Sequence, residues 1–244
     1  MKNLVIIPAY NEEGNILKTY KSIIDKKLKY KYDILVINDG STDKTENILI
    51  DNNIPHIKLI NNLGIGGAVQ TGYKYAYENN YDLAIQFDGD GQHDSKCLDK
   101  LVDRYLETGA NMVIGSRFII KDKNNFNSSF TRRLGINIIS FVIKAKFNKK
   151  IFDTTSGFRL IDAKLIKLFS NNYPSEYPEP ISTVNAINNN YEIDEISVKM
   201  HERTEGVSSI TSWKSIYYMF NVIITILNIK KVKKWYQQNW LFYY

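Results

Sequence analysis

A single cysteine, Cys97, occurs in the 244 residues. That excludes an intramolecular disulfide framework and suits a reducing compartment. Cys97 falls within an amphipathic helical pattern, where inert packing is its expected role. No run approaches the roughly 20 apolar residues of a membrane-spanning helix. The first apolar segment, Leu4-Val5-Ile6-Ile7, stops at Pro8 and is too short for the apolar part of a signal peptide. A cytoplasmic location follows as the expectation. There is no internal repeat and no low-complexity linker. Disorder is excluded by a 43% hydrophobic content, enough for one large α/β domain or two small ones. The net charge of +6 hints at nucleic acid, but the lysines are spread along the chain and concentrate only near the C-terminus. No nucleic-acid partner is expected.

The most informative stretch is Asp88-Gly89-Asp90-Gly91-Gln92-His93-Asp94. It follows Leu83-Ala84-Ile85-Gln86-Phe87, which reads as a buried strand. Gly89 and Gly91 let the backbone approach a ligand closely. Asp88, Asp90 and the amide oxygen of Gln92 offer oxygens at alternate positions. Hard cations such as Mg²⁺ and Mn²⁺ take oxygen ligands and share them with substrate phosphates. The reading is a metal–diphosphate site at the carboxyl end of a strand, set against a plain Asp/Gly turn with solvated acids.

The surrounding pattern supports such a site. Leu4–Ile7 reads as a strand, followed by Pro8-Ala9-Tyr10-Asn11-Glu12-Glu13 and a helix carrying Ile16, Leu17, Tyr20, Ile23 and Ile24. Asp33–Asn38 is a second strand, ending in Asp39-Gly40-Ser41-Thr42-Asp43 before another helix, and His56–Ile60 a third. Repeated strand–loop–helix units argue for a parallel sheet with helices on its faces. Ligands bind beyond the carboxyl ends of strands in such sheets, where Pro8–Glu12, Asp39 and Asp88–Gln92 would converge. Gly64-Ile65-Gly66-Gly67-Ala68-Val69 is no dinucleotide fingerprint, because Val69 stands where the last glycine belongs. Those small residues are expected to let the helix 66–77 pack closely on the sheet or on a ligand. Asn111–Ser116 is a further strand, leading to Arg117, which suits a phosphate. Lys121–Arg133 reads as a polar loop and Leu134–Phe147 as a helix. Pro180 fits a helical first turn and leaves Glu179 at that helix's N-terminus. Glu192–Met200 alternates as a strand, and 201–209 is a polar arm.

These marks together resemble the family 2 glycosyltransferases: Ile7-Pro8-Ala9-Tyr10-Asn11-Glu12, Asn38-Asp39-Gly40-Ser41-Thr42-Asp43, Asp88-Gly89-Asp90-Gly91-Gln92-His93 and Ser156-Gly157-Phe158-Arg159, in this order. The chain looks most like the dolichol- or polyprenyl-phosphate sugar synthases and their capsule and cell-wall relatives, over most of residues 3–210. The resemblance implies an α/β chain with a single Rossmann-like, A-type glycosyltransferase domain. Its central sheet is mostly parallel and flanked by helices. It implies that Pro8, Ala9, Tyr10, Glu12 and Asp39 hold the nucleoside of a nucleoside-diphosphate sugar. Asp88 and Gly89 lie on the sugar or ribose side, and Asp90 and Gln92, with Asp88, ligate Mg²⁺ or Mn²⁺. Arg117 and Arg203 contact the diphosphate or an acceptor phosphate. The family inverts at the anomeric carbon in one displacement. Glu179 lies about where the family's base falls, although the family often has Asp preceded by Glu there; Asp153 is the second candidate base. Asn38 replaces a frequent Asp.

The catalytic domain is placed at 1–210 and a C-terminal appendage at 211–244. Within the appendage, Ile216–Ile229 as a helix would extend about 21 Å, short of a hydrocarbon core of about 30 Å. Lys230, Lys231, Lys233 and Lys234 follow, then Trp235, Tyr236, Trp240, Phe242, Tyr243 and Tyr244. Such an amphipathic, basic and aromatic tail is expected to lie on the inner face of the cell membrane, or else to dock on the catalytic domain or in a homo-oligomer. The acceptor is expected to be a lipid-linked saccharide, a polysaccharide or a polyprenyl phosphate. Two other classes compete. A nucleotidyltransferase would want a glycine-rich, basic loop where Pro8–Glu12 stands. A sugar- or nucleic-acid-binding module would not need Asp88, Asp90 and Gln92 together.

Overall fold

The computed structural model describes residues 1–89, 91, 93–119, 130–198 and 212–232. Asp90, Gln92, Arg203, the polar arm, most of the polar loop before α5 and the tail beyond Val232 lie outside the described residues. Among the described residues seven strands form one sheet, in the order β3-β2-β1-β4-β6-β5-β7. They are β1 (Asn3–Ala9), β2 (Asp33–Asn38), β3 (His56–Lys58), β4 (Leu83–Gln86), β5 (Met112–Ser116), β6 (Arg159–Asp162) and β7 (Ile193–Ser197). The sheet is mostly parallel; only β6 runs against its neighbours β4 and β5.

Strand β1 is buried throughout and pairs on both sides, as continuous apolar runs do in parallel sheets covered on both faces. It continues through Pro8 to Ala9, beyond the expected stop. Ile6 O accepts from Phe87 N and Ala9 O accepts from Asp39 N. Alternation then turns Pro8 towards β4, whose pairing with β1 ends at Ile6–Gln86. A residue without an N–H costs nothing there. Three other boundaries shift. β3 ends at Lys58, β7 spans only Ile193–Ser197, and helix α5 (Phe130–Phe147) starts before Leu134.

Helices cover both faces. On one side lie α1 (Ile16–Ile24), α2 (Thr45–Asp51) and α4 (Cys97–Thr108), packed on Val5, Ile7, Val36 and Ile85. On the other lie α3 (Gly64–Glu78), α5, α6 (Ala163–Asn171), α7 (Pro178–Asn188) and α8 (Ser212–Asn228), packed on Leu4, Ile6 and Ile37. Cys97 is buried in the first layer. The small residues of α3 serve close packing, as expected. A Cβ on Gly72 would lie 2.4 Å from Ile6 of β1, and one on Gly66 would lie 2.5 Å from the Pro174 carbonyl.

Helices α5 and α8 run side by side in the same direction. Gly135 meets Met219 near their starts, and Lys146 Nζ donates to the Ile226 carbonyl, 2.8 Å away, near their ends. Ile139 and Ile143 of α5 and Val222 and Ile226 of α8 join the core. Leu134, Ile138 and Phe141, with Tyr217, Phe220, Ile224 and Leu227, remain exposed. No helix among the described residues is long and apolar enough to cross a membrane.

Candidate active site

A cavity of about 380 Å³ opens beyond the carboxyl ends of β1, β2 and β4. That is within the range of small-ligand sites. The turn after β1 supplies Pro8, Ala9, Tyr10 and Glu12; the end of β2 supplies Asp39; the end of β4 supplies Asp88 and Gly89; the first turn of α7 supplies Glu179. Residues far apart in the chain meet here because β1, β2 and β4 end at one rim and α7 begins there. Ile65 and Ala68 of α3 complete the wall; Ala68 lies in the helix expected to pack on the sheet or on a ligand, and Ile65 just before its expected start.

The first two turns are stitched to each other. Asn11 N donates to Ser41 Oγ (3.0 Å), Thr42 N to Asn11 Oδ1 (2.8 Å) and Glu12 N to Thr45 Oγ1 (2.9 Å). Asn38, where the resemblance suggests an acid, is fully buried; its side chain accepts from Ser41 N (3.0 Å) and donates to Glu46. It therefore shapes the turn. Asp39 Oδ1 accepts from Leu63 N at 2.7 Å, tying β2 to the start of α3. Burial raises the Asp39 pKa, against the opposing pull of the Leu63 and Gly64 N–H groups.

Asp88 sits between two donors. His93 Nε2 lies 3.1 Å from Oδ2 and Gln86 Nε2 lies 3.4 Å from Oδ1. His93 is stacked on Phe158 with ring centroids 4.8 Å apart. Burial works to raise the Asp88 pKa, but the His93 and Gln86 hydrogen bonds and the charge of Arg117 outweigh it. The carboxyl is held below its ordinary range and stays ionised. A Cβ on Gly157 would lie 2.8 Å from Asp88 Oδ1, so only glycine leaves room behind the carboxylate. Thr19 Oγ1 donates to the Gly89 carbonyl at 2.9 Å and anchors the loop on α1. Thr19 carries no chemical motif and was not legible as a site residue. Asp88 is an oxygen donor of the type Mg²⁺ and Mn²⁺ take. Among the described residues no cluster of three His, Cys, Asp or Glu side chains could hold a metal; the other two expected donors, Asp90 and Gln92, fall outside them.

Glu179 stands two residues after Tyr177, whose φ of +51° is left-handed. Burial raises the Glu179 pKa and nearby Asp88 adds to the rise, while Arg159 opposes it. Arg117 and Asp153, a phosphate contact and the second candidate base by resemblance, are bonded to each other. Neither lines the cavity. Arg117 forks onto Asp153 through Nε–Oδ2 and Nη2–Oδ1 bonds, each 2.7 Å, and also donates to Thr155 Oγ1. Asp153 is wholly buried and further bonded by the Arg117 N–H. Its Oδ1 accepts also from Thr155 N and Thr155 Oγ1, each 3.4 Å away. Glu195 of β7 accepts from Phe152 N and Asp153 N and so fixes this turn.

The profile of Glycosyl transferase family 2 matches residues 4–169, more than half of the chain. The chain belongs to that family. It is 30% identical to UDP-N-acetylglucosamine--dolichyl-phosphate N-acetylglucosaminyltransferase of Methanococcus voltae, across 87% of this chain and 92% of that one. It is 28% identical to polyprenol monophosphomannose synthase of Mycolicibacterium smegmatis, across 91% and 85%. Among solved structures, glucosyl-3-phosphoglycerate synthase from Mycobacterium tuberculosis, in complex with Mn²⁺, uridine diphosphate and phosphoglyceric acid, superposes with a TM-score of 0.69. The sequences are 16% identical, and the match covers 94% of this chain and 79% of that one. The fold is thus the A-type glycosyltransferase fold, and the protein is a glycosyltransferase.

Proposed function

We propose that this glycosyltransferase moves a sugar from a nucleoside-diphosphate sugar to a polyprenyl-phosphate lipid, inverting the anomeric carbon. The observation that carries the reading is one cavity lined by Asp39, Asp88 and Glu179. Two relatives named for dolichyl-phosphate and polyprenol chemistry support the acceptor class.

In this reading the turn Pro8–Glu12 and Asp39 hold the nucleoside, and Asp88 and Gly89 face the sugar. Mg²⁺ or Mn²⁺ would be held by Asp88, Asp90 and Gln92 and supplies Lewis-acid stabilisation of the departing diphosphate. The acceptor oxygen attacks the anomeric carbon, the new carbon–oxygen bond forms as the bond to the diphosphate breaks, and the electron pair leaves on the diphosphate oxygen. Glu179 takes the acceptor's proton, if the acceptor oxygen still carries one. Burial, which raises its pKa, makes the carboxylate the stronger base.

A second observation favours an acceptor held at a membrane. The exposed outer face shared by α5 and α8 is apolar, and both helices end at the same side, beside exposed Lys144, Lys150, Lys230 and Lys231. Apolar surface next to basic residues suits an anionic lipid surface. The deciding experiment incubates the protein with uridine-, guanosine- or thymidine-diphosphate sugars, Mn²⁺ or Mg²⁺, and a polyprenyl phosphate in detergent. Labelled sugar extracted with the lipid supports the proposal. Transfer only to saccharides overturns the acceptor class, and no transfer from any donor overturns the reaction.

A further inference from the structure

Two of the cavity's carboxylates come from different elements, Asp88 from the end of β4 and Glu179 from the first turn of α7. Their spacing must be set by whatever joins those elements. Reversal of β6 puts its first residue, Arg159, beside Gln86 of β4 and Ile114 of β5, at the sheet end where the cavity lies. Arg159 is the largest fully buried side chain, at 0% exposure. Buried charges are ordinarily paired with an opposite charge. Every hydrogen bond this guanidinium donates ends instead on a carbonyl or hydroxyl oxygen. Nε reaches the Ser156 carbonyl at 3.1 Å, and Nη2 reaches it as well. Nη1 reaches the Glu179 carbonyl at 3.1 Å, Ser182 Oγ at 2.9 Å and Thr183 Oγ1 at 3.3 Å. One end of the fork therefore holds the loop whose next residue, Gly157, lies against Asp88. The other end holds the first turn of α7. Ser182 and Thr183 also donate to the Glu179 carbonyl, so the same turn is closed by a small network.

We propose that Arg159 is a positioning residue: one buried guanidinium clamps the loop behind Asp88 to the first turn of α7 and so fixes where Glu179 stands relative to the donor. The inference rests on the reading of Glu179 as the acceptor-side carboxylate. A planar fork with five N–H donors can span two segments at once, which a lysine ammonium cannot do in the same geometry. Misplacing a reacting group by about 1 Å costs on the order of 10²-fold in rate.

The test compares Arg159→Met, Arg159→Lys, Glu179→Gln and the double variant Arg159→Met/Glu179→Gln in the full chain. Melting and circular dichroism establish the folded fraction. Calorimetry with the nucleoside diphosphate reads donor affinity, and steady-state transfer reads kcat and KM. The expected result for folded Arg159→Met is a kcat reduced by about 10²-fold with nucleoside diphosphate affinity unchanged, and for Arg159→Lys a partial recovery. The double variant should be no slower than Glu179→Gln alone, because residues acting as one unit are not additive. Arg159→Met with full kcat overturns the inference. So does donor affinity falling in step with kcat, or losses that add in the double variant. If Arg159→Met does not fold, Ser182→Ala with Thr183→Val removes two acceptors of the clamp and keeps the guanidinium; a lowered kcat that is not additive with Glu179→Gln supports the clamp, and an unchanged kcat overturns it. Full transfer by Glu179→Gln overturns the acceptor-side reading itself, and the inference with it. Impaired transfer by Glu179→Gln beside a normal Arg159→Met overturns the clamp alone.

Discussion

Arg117 and Asp153 lock each other in place through two 2.7 Å bonds, with side chains 6% and 0% exposed. Removing one partner leaves a buried charge without compensation, which costs about 3–5 kcal/mol. Asp153→Ala should therefore lose stability of that order in urea denaturation. Transfer activity should fall only with the folded fraction. A loss under about 1 kcal/mol, or a folded variant that has lost transfer, would return Asp153 to the list of bases and Arg117 to the phosphate contacts.

This pair also marks what the chain's pattern could and could not reveal. Strands β1, β2 and β4 were legible because a sheet covered on both faces makes them continuous apolar runs, and the turns that follow carry the polar marks of the family. Of the ten cavity residues, eight — Pro8, Ala9, Tyr10, Glu12, Asp39, Asp88, Gly89 and Glu179 — were named from sequence. The misses share one cause. Strand β6 is four residues long, too short for a period to show, and its reversed direction leaves no local trace. The Arg117–Asp153 pair spans 36 residues, so no spacing rule joins them. Thr19 acts through a bond to the Gly89 carbonyl, and Arg159 through bonds to the Ser156 and Glu179 carbonyls, which residue type alone does not announce.

Asp39→Ala should weaken a nucleoside diphosphate more than pyrophosphate. A hydrogen bond from a charged group is worth about 1.5–3 kcal/mol, so a loss of about 10- to 100-fold is expected for the nucleotide by calorimetry. The variant also frees Leu63 N, whose acceptor is Asp39 Oδ1 at 2.7 Å. Equal weakening of both ligands would mean that Asp39 only anchors α3.

Glu179→Gln should reduce transfer by roughly 10²–10⁴-fold, the range for a lost general base, with donor affinity nearly unchanged. The same substitution should raise stability at neutral pH. Burial raises the Glu179 pKa in the folded chain. Its contribution to stability is therefore present in full below the unfolded carboxyl pKa of about 4.3 and is lost as pH rises through the folded value. Gln carries no charge to desolvate, so the gain over the parent in thermal melts should vanish near pH 4 and grow as the pH rises above it. A Gln variant that is less stable than the parent at pH 7 would show that the carboxylate makes compensating bonds. Full-rate transfer by Glu179→Gln would rule Glu179 out as the base and leave the acceptor phosphate, already ionised, to attack without one.

The outer face of α5 and α8 offers the last test. Phe220 is 61% exposed and Phe141 69%, on neighbouring helices that run in the same direction. Full burial of one such side chain is worth about 1.5–3 kcal/mol. The parent should float with liposomes containing anionic lipid, less so with neutral ones and less at high salt, since lysine attraction to the surface is screened. Phe141→Glu and Phe220→Glu should each weaken flotation about tenfold or more, while transfer to a detergent-dispersed acceptor is retained because neither residue lines the cavity. Flotation insensitive to both changes would place the contact elsewhere. A parent that never floats but sediments as a dimer, with Phe220→Glu monomeric, would assign the face to a second copy of the chain.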